Sequence, residues 1–145
     1  MIWKPLNYKI IKLKERGIFM RDDIKEYNAV ENVAKKFCEA VKSGKSEIVK
    51  PYFYEKACFF GQLNEKTYQS GPIEEFYKTI DTFGACGDDY ISRIDVLMLE
   101  KTIAVVQVIE DNWHGYKFTD ILNLNKINGE WKIVVKVYDT LSGQK

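Results

Sequence analysis

Between Tyr27 and Val41 apolar side chains recur every three or four residues, at Tyr27, Val30, Val33, Ala34, Phe37, Cys38 and Val41, which is the spacing of one buried helix face. Asp22 and Asp23 offer an N-cap and first-turn acids, so the pattern predicts a helix from Arg21 to about Ser43, stopped by Gly44. Ser46 then caps a short helical turn through Ile48 and Val49 to Phe53, and Pro51 keeps it short. Ala57 to Gln62 and Thr67 to Ser70 are β-type runs around a polar connection and predict a small hairpin. Pro72 suits the first turn of a second helix, with Ile73, Phe76, Tyr77 and Ile80 as its apolar face and Phe83-Gly84 as its end. Beyond the Gly84–Asp89 loop the period changes to two. Strands are expected over Tyr90–Leu99, Ile103–Asn112, Tyr116–Ile127 and Trp131–Asp139.

Asn128-Gly129 joins the last two strands, and both residues tolerate the positive φ of a type I′ turn. If Ile127 pairs with Glu130, Leu124 faces Ile133, Leu122 faces Val135 and Asp120 faces Val137. The core face is then Phe118, Leu122, Leu124, Ile133, Val135 and Val137, and Asp120 projects onto it. A lone carboxylate there is costly unless it is paired or lines a polar pocket. The opposite face carries Lys132, Val134, Lys136 and Tyr138, a half-apolar surface suited to a homodimer through the sheet. Helices followed by a curved antiparallel sheet with one covered face make an α+β fold.

The chain has 145 residues, 46% of them hydrophobic, enough for the core of one domain. The expected division is a leader over 1–20, a domain over 21–140 and a tail over 141–145. Lys14-Glu15-Arg16-Gly17 can be encoded by a nearly all-purine run just before Met20, so Met20 is read as the start of translation. With 22 Lys+Arg against 21 Asp+Glu the net charge is +1, and no global field favours nucleic acid or an anionic membrane. No apolar run approaches the roughly 18 residues of a membrane-spanning helix. Cys38, Cys58 and Cys86 are odd in number and widely spaced, which argues for buried reduced thiols in a cytoplasmic protein rather than disulfides or a zinc site.

Ser70-Gly71-Pro72, Glu110-Asp111-Asn112-Trp113, Phe118-Thr119-Asp120 and Asn128-Gly129-Glu130-Trp131-Lys132-Ile133 followed by Lys136-Val137 resemble, in order and spacing, the Putative lumazine-binding family of the nuclear transport factor 2-like superfamily. The resemblance covers about Arg21 to Asp139 and implies a cone-shaped fold with a ligand pocket. Relatives of the SnoaL-like polyketide cyclase and ketosteroid isomerase kind place acids, His or Tyr inside the cone. Where such proteins often read Phe-His-Pro-x-Ala, this chain has Phe53-Tyr54-Glu55-Lys56-Ala57, so that His has no counterpart.

His114 is the only histidine, which excludes a metal site built on two imidazoles, and neither a metal nor a cofactor is expected. It sits in the Asn112–Gly115 turn and reads as a solvated loop residue. Asp111 and Asp120 flank that turn on adjacent strands, with Trp113 and Phe118 as aromatic walls. A desolvated Asp120 could act as a base toward a C–H next to a carbonyl. Equally, Asp111 could cap the turn and Asp120 be satisfied by a Lys, a Tyr or the backbone. Phe60 and Tyr68 on the hairpin are the aromatic pocket candidates, and Phe37 and Phe76 belong to the core. Three functions follow: a binding domain for a flat aromatic or heterocyclic ligand, an isomerase, dehydratase or cyclase with Asp120 as base, and a homodimeric interaction module.

Overall fold

A computed structural model describes residues 6–143, with side chains from residue 23 onward. Helix α1 spans Leu6–Ser43. It is already under way where a start was expected at Arg21. The side chain of Asp22, and those of the leader, lie outside the described residues. Two single 3₁₀ turns, Ser46–Ile48 and Lys50–Tyr52, follow. Ser46 does not cap the first. Its amide and hydroxyl instead donate to Asp81 at 2.9 and 2.8 Å, tying this turn to the second helix.

The remaining elements are β1 (Phe53–Asn64), β2 (Thr67–Pro72), α2 (Ile73–Phe83), β3 (Ile91–Leu99), β4 (Ile103–Trp113), β5 (Tyr116–Ile127) and β6 (Glu130–Ser142). Pro72 sits at the N-cap of α2 rather than inside its first turn, and the expected tail begins as strand, since β6 includes Leu141 and Ser142. All six strands form one sheet in the order β2-β1-β6-β5-β4-β3. Hairpin and meander are joined by a parallel pairing of β1 with β6, so the sheet is mixed rather than wholly antiparallel. One face is covered by α1 and α2. Val30, Val33, Ala34, Phe37, Ala40 and Val41 of α1 are buried, as are Ile73, Phe76 and Ile80 of α2. Each large apolar side chain so buried contributes about 1.5–3 kcal/mol. Glu26 clamps α1 to the β5–β6 hairpin by accepting from Lys126 Nζ at 2.6 Å and Trp131 Nε1 at 2.5 Å.

The Asn128-Gly129 turn has φ of 51° and 82°, and Ile127 pairs with Glu130 and Leu124 with Ile133 as expected. Past that point the register slips. Asn123 pairs with Val135, so Val134 is an extra residue on β6 and the strand carries a bulge. Leu122 therefore faces Lys136 and Asp120 faces Tyr138. The expected positions of four residues are reversed. Lys136 and Tyr138 point into the core and are 4% and 7% exposed, whereas Val135 is half-buried and Val137 is 42% exposed. The outer face carries a different apolar row, Phe60 beside Val137 beside Ile121, with Cys58, Val135 and Asn123 alongside.

Candidate functional site

Between the sheet and α2 lies a cavity of about 330 Å³. Phe59, Phe76, Trp113, Tyr116, Phe118 and Tyr138 wall it, and Gln69, Glu75 and Thr79 bring polar groups to it. The rings hold one another largely edge to face. Trp113 meets Phe118 at 5.4 Å and Phe76 at 6.1 Å, and Phe118 meets Tyr138 at 5.9 Å, with interplanar angles of 60°, 82° and 77°. Such packing fixes ring orientation and leaves a rigid apolar slot. Tyr138 donates to Gln69 Oε1 at 2.7 Å, and burial together with the charge of Asp120 pushes its phenol up to about 12.

Asp120 and Lys136 supply the buried charged groups of this wall, and Glu75 adds a further carboxylate. Asp120 reaches it because β5 alternates Phe118, Asp120, Leu122 and Leu124 toward the core; Lys136 reaches it because of the Val134 bulge. Lys136 Nζ lies 2.9 Å from Asp120 Oδ1, a buried ion pair. The approach is off the line of a hydrogen bond, and Oδ1 has no other donor. The ammonium also stands 4.4 Å from the ring centroids of both Phe76 and Tyr138, where the ring faces attract a cation.

A second carboxylate lies behind the first. Glu110, fully buried, is the inward residue that follows Ala104, Val106 and Val108 on β4. Phe118 faces Glu110 and Val108 faces Asp120, so the two acids are diagonal neighbours on adjacent strands. Tyr90 donates to Glu110 Oε2 at 2.5 Å, and Oε1 lacks a donor. Burial, reinforced by the charge of Asp120, holds the Glu110 carboxyl well above the usual carboxylate range. Burial first, then the charge of Glu110, raises the Tyr90 phenol and pushes the Cys38 thiol up to about 12.

Of the residues singled out from sequence, Trp113, Phe118 and Asp120 line this cavity, while Phe60, Tyr68 and Asp111 do not. Phe60 lies on the outer face and its neighbour Phe59 faces inward, because Ala57-Cys58-Phe59-Phe60 has no polar residue to reveal its alternation. Tyr68 is 63% exposed, and Gln69 takes the inward place on β2. Asp111 pairs across β3 with Ile91 and forms an ion pair with Lys117 at 3.4 Å. The inward acid on β4 is Glu110, continuing the alternation Ala104, Val106, Val108. His114 is half-buried rather than solvated, with Nε2 3.1 Å from the Gly84 carbonyl. The cysteines are free, but only Cys38 is buried. Among the described residues no group of three or more His, Cys, Asp or Glu is placed to hold a metal ion, and no helix is long and apolar enough to cross a membrane.

Comparison with known proteins is consistent with this architecture. A structure of a nuclear transport factor 2-like protein of unknown function from Shewanella baltica is 30% identical, covers 83% of this chain and 97% of its own, and superposes with a TM-score of 0.77. A protein of the same description from Methylobacillus flagellatus is 27% identical, with a TM-score of 0.74 over 82% of this chain and 94% of its own. The sequence is also 29% identical over 114 residues to the aldolase FrzH of Cladobotryum sp., spanning 78% of this chain and 90% of that protein. Residues 25–139 match the model of the family described as Putative lumazine-binding. The chain thus belongs to the Putative lumazine-binding family of nuclear transport factor 2-like domains.

Proposed function

We propose that this domain binds a small flat aromatic or heterocyclic molecule in the cavity under α2. The observation that carries the reading is a rigid aromatic slot of about 330 Å³ with an ammonium and a carboxylate 2.9 Å apart on its wall. Edge-packed rings suit stacking on a flat ligand, and the ion pair offers adjacent donor and acceptor groups to its polar edge. The family description supports a lumazine-like ring. Calorimetric titration with lumazine tests this: saturable binding is expected, and Trp113→Ala should weaken it by about 1 kcal/mol or more. Unaltered affinity in that variant would remove Trp113 from the contact.

A second reading is supported by Asp120 itself, a buried carboxylate facing the cavity beside a cation, and by the aldolase relative. Abstraction of a proton next to a carbonyl leaves an enolate, the intermediate that aldol, isomerase and dehydratase chemistry share. In this reading Asp120 takes the proton and Lys136 holds the enolate oxygen. Asp120→Asn should then abolish turnover of an enolisable substrate; full activity in that variant disposes of the base.

The partner we propose is a second copy of the chain, docked through the outer face. The Phe60–Val137–Ile121 row gives that face an apolar stripe, and a net charge of +1 offers little repulsion between copies. Sedimentation velocity should show a dimer that Val137→Lys weakens.

A further inference from the structure

Glu110 does not line the cavity, yet it is fully buried beside the groups that do. Its titratable surroundings come from five places, one of them the loop after α2, which brings Cys86 within reach of its charge. Asp120 approaches from β5, Lys136 from β6, Cys38 from α1, and Tyr90 from the residue preceding β3. Those groups hold two carboxylates and one ammonium. Moreover, the two carboxylates are diagonal neighbours with unfilled acceptors: Tyr90 serves Glu110 Oε2 at 2.5 Å, while Glu110 Oε1 has no hydrogen bond and Asp120 Oδ1 has only the off-line ammonium of Lys136 at 2.9 Å. Buried acceptors left unmade are costly, and an unbalanced buried charge is costlier. One proton between the two carboxyl groups removes both costs. It converts two acceptors into one O–H···O⁻ hydrogen bond and brings Glu110, Asp120 and Lys136 together to zero net charge.

We infer that Glu110 and Asp120 share one proton, carried by Glu110, and that the pair is a proton store for a cavity that takes neutral, enolisable carbonyl compounds. Glu110 acts through Asp120 and is a positioning residue. The sharing stands on the geometry; its use in turnover rests on the reading of Asp120 as base. In that step the substrate C–H bond breaks, its proton goes to Asp120, and its electron pair forms the C=C bond as the carbonyl oxygen gains the charge that Lys136 faces. The hydrogen bond from Glu110 rearranges around the newly protonated Asp120, and Asp120 returns a proton, either the one it took or one exchanged with solvent, to either end of the enolate. No oxidant, metal or second reactant is required. A neutral substrate fits at these three side chains, which together have no net charge to offer an ion, and Glu75 elsewhere on the wall disfavours an anion.

Two measurements on the full chain test this. Infrared difference spectra at neutral pH should show a carboxylic-acid C=O stretch in the wild type that Glu110→Gln removes and Asp120→Asn shifts. Tyr90→Phe, which leaves every charge in place, should shift it too and covers the case in which Glu110→Gln does not fold. Absence of the band, or its persistence in a folded Glu110→Gln protein, overturns the shared proton. Incorporation of solvent deuterium next to the carbonyl of 1-indanone, a flat aromatic ketone, reads its use. Glu110→Gln should slow incorporation at least tenfold and lose the alkaline inflection of the wild-type pH profile. An acid band without any wild-type exchange leaves the shared proton standing and removes Asp120 as base. Exchange at the wild-type rate, with the inflection intact, in Glu110→Gln overturns Glu110's part in it.

Discussion

Lys136 is where one residue decides most. The residue is 4% exposed and its ammonium sits between Asp120 and the faces of Phe76 and Tyr138, so Lys136→Met strands the carboxylate in an apolar wall. Loss of one partner of a buried pair costs about 3–5 kcal/mol, and chemical denaturation should show a fall of that order. Glu110 predicts a pH dependence of opposite sense to an ordinary surface acid. Its folded pKa is raised by burial and by Asp120, above the unfolded value of about 4.3. The native state then binds more protons than the unfolded chain between those two values. The stability this confers is complete below the unfolded value and is lost as pH rises through the folded one. Melting temperature should therefore fall more steeply with rising pH in the wild type than in Glu110→Gln, and parallel curves would contradict the assignment. Asp120's inward direction was legible from the alternation of β5 alone, and the alternation of β4 made Glu110 equally legible. Lys136 was not, because its direction depends on a neighbour's bulge.

At the scale of elements, boundaries marked by turns were readable and registers between distant strands were not. Asn128-Gly129 placed the β5–β6 hairpin correctly through Leu124 and Ile133. Ile133-Val134-Val135 then offers three β-branched residues in succession, so inserting a bulge at Val134 breaks no visible pattern, and the slip passes unseen while reversing every side chain beyond it. The parallel pairing of β1 with β6 joins residues some eighty positions apart with no turn to announce it. Deleting Val134, the unpaired residue, should remove the bulge while keeping Lys136 opposite Leu122 and Tyr138 opposite Asp120, so the alternation becomes plain and the buried ion pair survives. Nuclear magnetic resonance contacts between the Lys136 side chain and the Phe76 ring should persist in that variant, and their loss would contradict this register. Gly61 tests the same strand pair differently. A Cβ there would lie 2.2 Å from the Tyr138 ring, so Gly61→Ala must push the ring aside, at a cost of about 1–3 kcal/mol measurable by thermal unfolding.

For the whole molecule, the order helix, short turns, hairpin, helix and meander was enough to identify the α+β cone, because each boundary carries its own Gly, Pro or Asn-Gly signal. The cavity followed less directly. Its aromatic composition could be read, but which of two adjacent aromatics faces inward, Phe59 or Phe60, depends on packing against β6. The sheet divides the chain into two surfaces with different work: the helix-covered face encloses the aromatic slot and the buried acid–ammonium set, and the outer face carries the apolar stripe proposed for a second copy. The central claim is that the slot, and not the outer face, receives a flat ring. The measurement that tests it most directly is a titration of isotope-labelled protein with lumazine, followed by amide and side-chain resonances. Saturable shifts concentrated on Phe59, Trp113, Phe118, Lys136 and Tyr138 are the predicted result; no saturable shifts, or shifts concentrated on Phe60, Ile121 and Val137, would contradict it.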